Sequence, residues 1–253
     1  MPDAVAVAVF AKAPVAGYAK TRLIPRLGAE GAAALQNVLI DRAVATALAA
    51  RIGPVALWCA PDAKHPCFQE AARRSPIALA GQPDGDLGAR MLAAFRASGG
   101  PLVLIGTDCP TLTPADLRDA ADALRHGADV VLSPAEDGGY GLISALCAYP
   151  CLFEAMPWST AQVARLTAER ARSAGLRLKI LRKIWDVDTP ADLDRLLRSG
   201  LLTPEKEAGL RRSVVAAGQQ RQPTSFLPEN APRRANLCRD PAINRDQFTK
   251  PVE

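Results

Sequence analysis

In the segment 9–23, VFAKAPVAGYAKTRL, an apolar run gives way to a turn at Pro14 and Gly17, with Lys12, Lys20 and Arg22 around it. Lysine is a compact point charge and arginine a fork of parallel donors, so this set suits the oxygens of a phosphate chain. The spacing is not that of a P-loop, which needs Gly-Lys-Ser/Thr in succession, and no GxGxxG dinucleotide fingerprint is present. A turn whose backbone wraps a phosphate is one reading. A solvated strand-to-helix loop with its cations in water is the other.

Carboxylates come from other segments. LIGTDCP puts Asp108 directly after an apolar run that Pro110 prevents from continuing, which suits either a metal ligand or a turn-forming Asp. A hard dication such as Mg²⁺ takes few carboxylates and completes its shell with phosphate and water oxygens. In WDVDTPADL, Asp186 and Asp188 lie two residues apart and share one side of an extended segment. Either could join Asp108 in a metal site, although Asp188 could equally favour the positive end of the helix that Thr189 begins. PAEDGGYG sets Glu136 and Asp137 before two glycines, where a substrate could approach the backbone or the chain could simply turn. GQPDGDLGARM offers Asp86, Gly88 and Arg90 at a loop-to-helix junction; Gly88 leaves room for a base or ribose, whereas a helix first turn alone explains Asp86. Cys109 is set aside as a nucleophile because His65 and His126 both lie outside these loops.

These segments need a scaffold that brings them to one edge. AVAVAVF (4–10), PVALWCA (54–60), 76–80, PLVLIG (101–106), DVVLSP (129–134), GGYGLISAL (138–146) and LRLKIL (176–181) read as strands. Helical spacing marks 30–50, 66–74, 86–98 and 159–174, and Thr-Pro pairs at 113, 189 and 203 start three more helices. Strands alternating with helices imply an α/β, Rossmann-like, mostly parallel sheet flanked by helices, with one antiparallel departure at DGGY. Ligands of such sheets bind beyond the carboxyl ends of the strands, where every charged segment above is expected. Residues 1–216 read as one domain and 217–253, dense in Pro, Arg, Asn and Gln without apolar period, as a disordered tail.

Composition narrows the function classes. The 253 residues carry 31 Lys and Arg against 26 Asp and Glu, a net charge of +5 that is weak ground for a nucleic-acid partner. Six cysteines without a CxxC pair and two histidines argue against a zinc module. No apolar run reaches the roughly 18–20 residues of a membrane span, and MPDAVAVAVF lacks the basic start of a signal peptide. A reduced, cytoplasmic protein is the expectation; the oligomeric state is left open.

Taken together, FAKAPVAGYAKTRL, DLGARM, GTDCPTLTPADL, PAEDGGYGLI, PWST and WDVDTPADL, in this order over residues 4 to 197, resemble the radical-SAM/selenodomain-associated transferases. That group is placed with GT-A glycosyltransferases, some of them in arsenosugar biosynthesis. The resemblance implies a GT-A-like fold holding a nucleotide-activated donor and usually Mg²⁺ or Mn²⁺. The first loop and DVDTPADL are more distantly similar to 2-phospholactate guanylyltransferase and to molybdenum-cofactor nucleotidyltransferases, in which Lys20 and Arg22 would meet phosphate and Asp108 the metal. The LAGGxSxRMG loop of the latter enzymes is missing, so their nucleotide preference does not transfer. Lys12, Gly17, Lys20, Arg22, Asp86, Gly88 and Arg90 are thus expected to bind donor, Asp108 and Asp188 metal, and Asp137 to act as acceptor base. Glycosyl transfer to a small acceptor leads, nucleotidyl transfer with release of pyrophosphate follows, and a non-catalytic nucleotide-binding domain is the third reading.

Overall fold

Burial of both faces explains why the central strands read as nearly unbroken apolar runs. The computed structural model describes residues 4–219. Its strands are β1 (Ala6–Lys12), β2 (Val55–Ala60), β3 (Ala78–Gly81), β4 (Leu102–Gly106), β5 (Val130–Pro134), β6 (Tyr140–Ala145) and β7 (Leu178–Ile180). They form one sheet in the order β3-β2-β1-β4-β6-β5-β7. Only β6 runs antiparallel to its neighbours, β4 and β5, which is the departure expected at DGGY.

The helices are α1 (Ile24–Ala50), α2 (Pro66–Arg74), α3 (Leu87–Ser98), α4 (Pro114–Arg125), α5 (Val163–Ser173), α6 (Pro190–Arg198) and α7 (Pro204–Gln219). Val7, Val9 and Ala11 of β1 pack with α1, α2 and α4, while Ala8 and Phe10 point to the other face, against α3 and α5. Each fully buried Leu or Phe in these layers contributes about 1.5–3 kcal/mol. α1 starts before the expected residue 30 but breaks at Gly28 (φ 71°, ψ 168°), so the apolar period begins only beyond the break. α7 runs to Gln219, past the boundary expected at 216, and the rest of the expected tail, with Cys238, lies outside the described residues.

Two features of this scaffold set up the site. β2 and β3 build outward from one edge of β1, and the chain then returns to place β4 on the other edge. At such a reversal the ligands of an open α/β sheet bind beyond the carboxyl ends of the strands, here those of β1 and β4. In addition, a third apolar cluster joins α1, α6 and α7 and buries Trp185 and Val187. It anchors the segment after β7 so that Asp186 and Asp188, the alternate residues, stay partly exposed.

The repeated TPADL phrase forms a capping box both times, at Thr113 with Asp116 and at Thr189 with Asp192. Asp116 does more than cap. Its two oxygens accept Arg182 Nε and Nη2, each at 2.6 Å, which ties the chain after β7 to the start of α4. Burial alone would raise the Asp116 carboxyl, but hydrogen bonds from Arg182 and Thr113 outweigh it and hold the group below the usual range. A carboxylate lowered in the fold stabilises above its unfolded value, about 3.9, and that stability is lost as pH falls through the lowered value. Asp116→Asn is therefore expected to cost about 1–2 kcal/mol near neutral pH. Urea titrations should show the difference from wild type shrinking below about pH 4; a constant difference would contradict the assignment.

Candidate functional site

The carboxyl ends of β1 and β4 are joined by a polar relay. Gln36 stands out in the apolar stripe of α1, and its Nε2 donates to the Lys12 carbonyl (3.2 Å) and to Thr107 Oγ1 (3.3 Å). Thr107 then donates to Asp108 Oδ1 at 3.2 Å. Gln36 thus joins the end of β1 to the residue before Asp108. Sequence reasoning passed over it, although a lone amide among Leu and Ile residues was the available signal.

Next to this relay, Lys20 is the junction. Its Nζ donates to Asp108 Oδ1 and to the Val187 carbonyl, both at 2.7 Å. The Val187 N–H donates to the Asp108 carbonyl at 2.9 Å, closing the ring from the other side. The Lys20 side chain is only 4% exposed, and its backbone lies in the left-handed region (φ 47°, ψ 46°), which is costly for a residue with a Cβ. Three segments remote in sequence therefore meet at one ammonium group.

Arg22, two residues on, behaves differently. It pairs with Asp188 while 74% exposed. Asp188 does not cap α6, because Thr189 and Asp192 form that cap between themselves. Asp186 lies within electrostatic reach of Asp137, and its carboxyl is pushed up to about 6 by burial first, then by Asp137, Asp192 and Asp188. Asp137 is exposed at the β5–β6 turn, where one of its oxygens accepts the Gly139 N–H at 2.9 Å. The Cys109 thiol is pushed up by burial first and then by the charges of Asp108, Asp186 and Asp137, so it is no nucleophile at neutral pH.

The loop after β1 turns at Gly17 (φ 83°), and Lys12 Nζ spans it to the Tyr18 carbonyl at 3.0 Å. Among the described residues, the amides of Ala16, Gly17 and Lys20 donate to no protein acceptor. Two of the residues expected to bind donor, Asp86 and Arg90, also serve the chain itself. Asp86 caps α3 through Ala89 N–H at 2.8 Å, and Arg90 holds the Gly85 carbonyl at 3.0 Å. Gly88 is buried, and a Cβ there would lie 2.5 Å from the Phe153 carbonyl oxygen and 2.8 Å from the Trp158 ring. The room expected for a base or ribose at Gly88 is thus filled by PWST.

The donor set can be judged against a metal. Four carboxylates (Asp108, Asp137, Asp186 and Asp188) against three cations (Lys12, Lys20 and Arg22) leave a formal excess of one negative charge. Among the described residues no group of three or more His, Cys, Asp or Glu side chains converges as a metal cage. An ion here would rely on one or two carboxylates and take its remaining oxygens from substrate and water, as Mg²⁺ commonly does.

With this geometry in place, comparison with known proteins gives the following. Residues 43–160 match the profile of a family described as an uncharacterized protein conserved in bacteria, DUF2064. The match spans Asp86, Asp108 and Asp137 but neither the first loop nor the 185–188 segment. No curated protein matches the sequence. A crystal structure from Desulfovibrio desulfuricans G20, provisionally named a nucleotide-diphospho-sugar transferase, is 29% identical with a TM-score of 0.74, over 85% of this chain and 97% of that one. A nucleotidyl transferase from Methanothermobacter thermautotroptrophicus is 18% identical with a TM-score of 0.51, over 82% of this chain and 99% of that one. A cytidylyltransferase from Leptospira borgpetersenii is 12% identical with a TM-score of 0.52, over 90% and 99%. The chain has the Rossmann-like fold shared by nucleotide-diphospho-sugar transferases and nucleotidyltransferases. Among the described residues no helix is long and apolar enough to cross a membrane.

Proposed function

We propose that this protein transfers a group from a nucleotide-activated donor, with a sugar moving from a nucleoside diphosphate to a small acceptor. The observation that carries the reading is the Lys20 junction at the β1–β4 reversal, where a cation-bearing loop with free amides meets acidic segments on a fold used by nucleotide-dependent transferases. As the donor bond breaks, negative charge grows on the leaving diphosphate. Preorganised cations and amides stabilise that charge without having to reorient. Lys20, Arg22, Lys12 and the turn at Gly17 would face the diphosphate, and Asp137, exposed with one oxygen free, would take the acceptor proton.

Asp108 and Asp188 would hold Mg²⁺ or Mn²⁺, which supplies Lewis-acid stabilisation of phosphate oxygens when bound. The selenodomain-associated, arsenosugar-type setting is the finer form of the proposal and rests on the six ordered motifs. A reduced, cytoplasmic location goes with the five free cysteines among the described residues. Nucleotidyl transfer is the second reading, because the same cations and carboxylates would serve attack at the α-phosphorus of a nucleoside triphosphate, and two of the structural likenesses are to nucleotidyltransferases.

Product identity tests both. Protein incubated with Mg²⁺ or Mn²⁺ and panels of nucleotide sugars and nucleoside triphosphates is expected to release nucleoside diphosphate. Pyrophosphate instead would select nucleotidyl transfer. Neither product, with thermal shifts that still report nucleotide binding, would leave a non-catalytic binding domain.

A further inference from the structure

The two cations of the first loop stand two residues apart, yet their surroundings are opposite. Lys20 is 4% exposed and engaged by Asp108 and the Val187 carbonyl, whereas Arg22 is 74% exposed and has Asp188 alone, itself 39% exposed. We infer that Lys20 is a positioning residue that sets the separation of the Asp108 and Asp188 segments, while Arg22 is an exchangeable counter-ion that yields Asp188 to a divalent cation. The inference rests on the transferase reading only for the entry of that cation.

The Lys20 contacts form a closed structure. Nζ reaches a side-chain oxygen of residue 108 and a backbone oxygen of residue 187, while the Val187 N–H returns to the Asp108 carbonyl at 2.9 Å. Removing the ammonium opens one side of this ring and lets the 185–188 segment drift from β4. An ammonium has three donors, so one remains for a ligand oxygen after the two protein contacts. Arg22 has no comparable restraint. An exposed ion pair in water is weak, and a dication in direct contact with the same carboxylate displaces it. The released guanidinium is then free to meet a phosphate on the same loop, which couples cation entry to anion binding.

The two roles make predictions of opposite sign for Mn²⁺ alone. If Lys20 acted only as a positive charge, its removal would tighten Mn²⁺. As a positioning residue, Lys20→Met is expected to weaken Mn²⁺ about 10–100-fold, the usual effect of removing a group that orients metal ligands. Arg22→Ala is expected to tighten Mn²⁺ about 2–5-fold, the range an exposed ion pair commands. Asp188→Asn should abolish both the binding and the Arg22 effect.

Titration calorimetry, with the free Mn²⁺ resonance as a second readout, measures all four proteins in the absence of nucleotide. Unchanged or tighter binding by Lys20→Met, or unchanged or weaker binding by Arg22→Ala, overturns the inference. Arg22 lies on the surface, so its variant decides the outcome even where the Lys20 variant does not fold. Wild-type protein that forms product yet binds no Mn²⁺ overturns the inference and leaves the transferase reading standing. The expected signs in a protein that forms no product from either donor panel support the inference and remove the transferase reading.

Discussion

Asp108→Asn is expected to lower donor turnover by about two to three orders of magnitude, equivalent to roughly 3 kcal/mol of transition-state stabilisation. The substitution keeps the size and shape of the side chain, so Thr107 Oγ1, now 3.2 Å from Oδ1, and Lys20 Nζ at 2.7 Å can still bond to its oxygen. What disappears is the charge that a cation would bind and that balances the buried Lys20 ammonium. Asp108 is itself 53% exposed, so the lost pair is partly hydrated already and stability should fall by only about 1–2 kcal/mol. Product release and urea unfolding, measured on the same preparation, separate the two effects. A folded Asn variant with wild-type turnover would remove Asp108 from the reaction and with it the proposed metal site.

The second large effect is expected from one methyl group. Gly138 has φ 91°, and a Cβ there would lie 2.1 Å from the Ala161 carbonyl oxygen. Its own carbonyl accepts the Ala164 N–H at 2.9 Å, so the β5–β6 turn and the first turn of α5 are joined backbone to backbone. Gly138→Ala combines a left-handed alanine with overpacking against a main chain that has no rotamer to change. A loss of about 2–4 kcal/mol follows, which lowers the melting temperature by about 5–15 °C in a domain of this size. Because Asp137 is the preceding residue, turnover should fall further than the lost fraction of folded protein accounts for. A melting temperature within about 2 °C of wild type would mean that the 159–162 chain does not pack on this turn.

The scaffold was legible because its signals are local. An apolar strand covered on both faces needs no polar alternation, and Thr-Pro with Asp three residues after the threonine satisfies a helix start without distant help; 113–116 and 189–192 both fold as read. The antiparallel β6 followed from a tight DGGY turn for the same reason. Less legible was the region from Asp86 to Arg90. Its residue types suit a ligand, but they cap a helix, hold a turn and make room for Trp158, and the tryptophan that fills the space stands 70 residues later.

The chain's own order of residues was enough to show which groups carry charge, that they follow strands, and that they would gather along one edge of an α/β sheet. It could not show which cation meets which carboxylate. Lys20 with Asp108 and Arg22 with Asp188 are contacts across 88 and 166 residues, created when β4 settles beside β1 and when α6 and α7 press Val187 into the core. Periodicity and capping act over a few residues, whereas an ion pair depends on separations of a few ångströms between segments that only packing brings together. Burial then gives two neighbouring cations unlike characters: Lys20 is enclosed and joined to two segments, and Arg22, two positions on, remains in water.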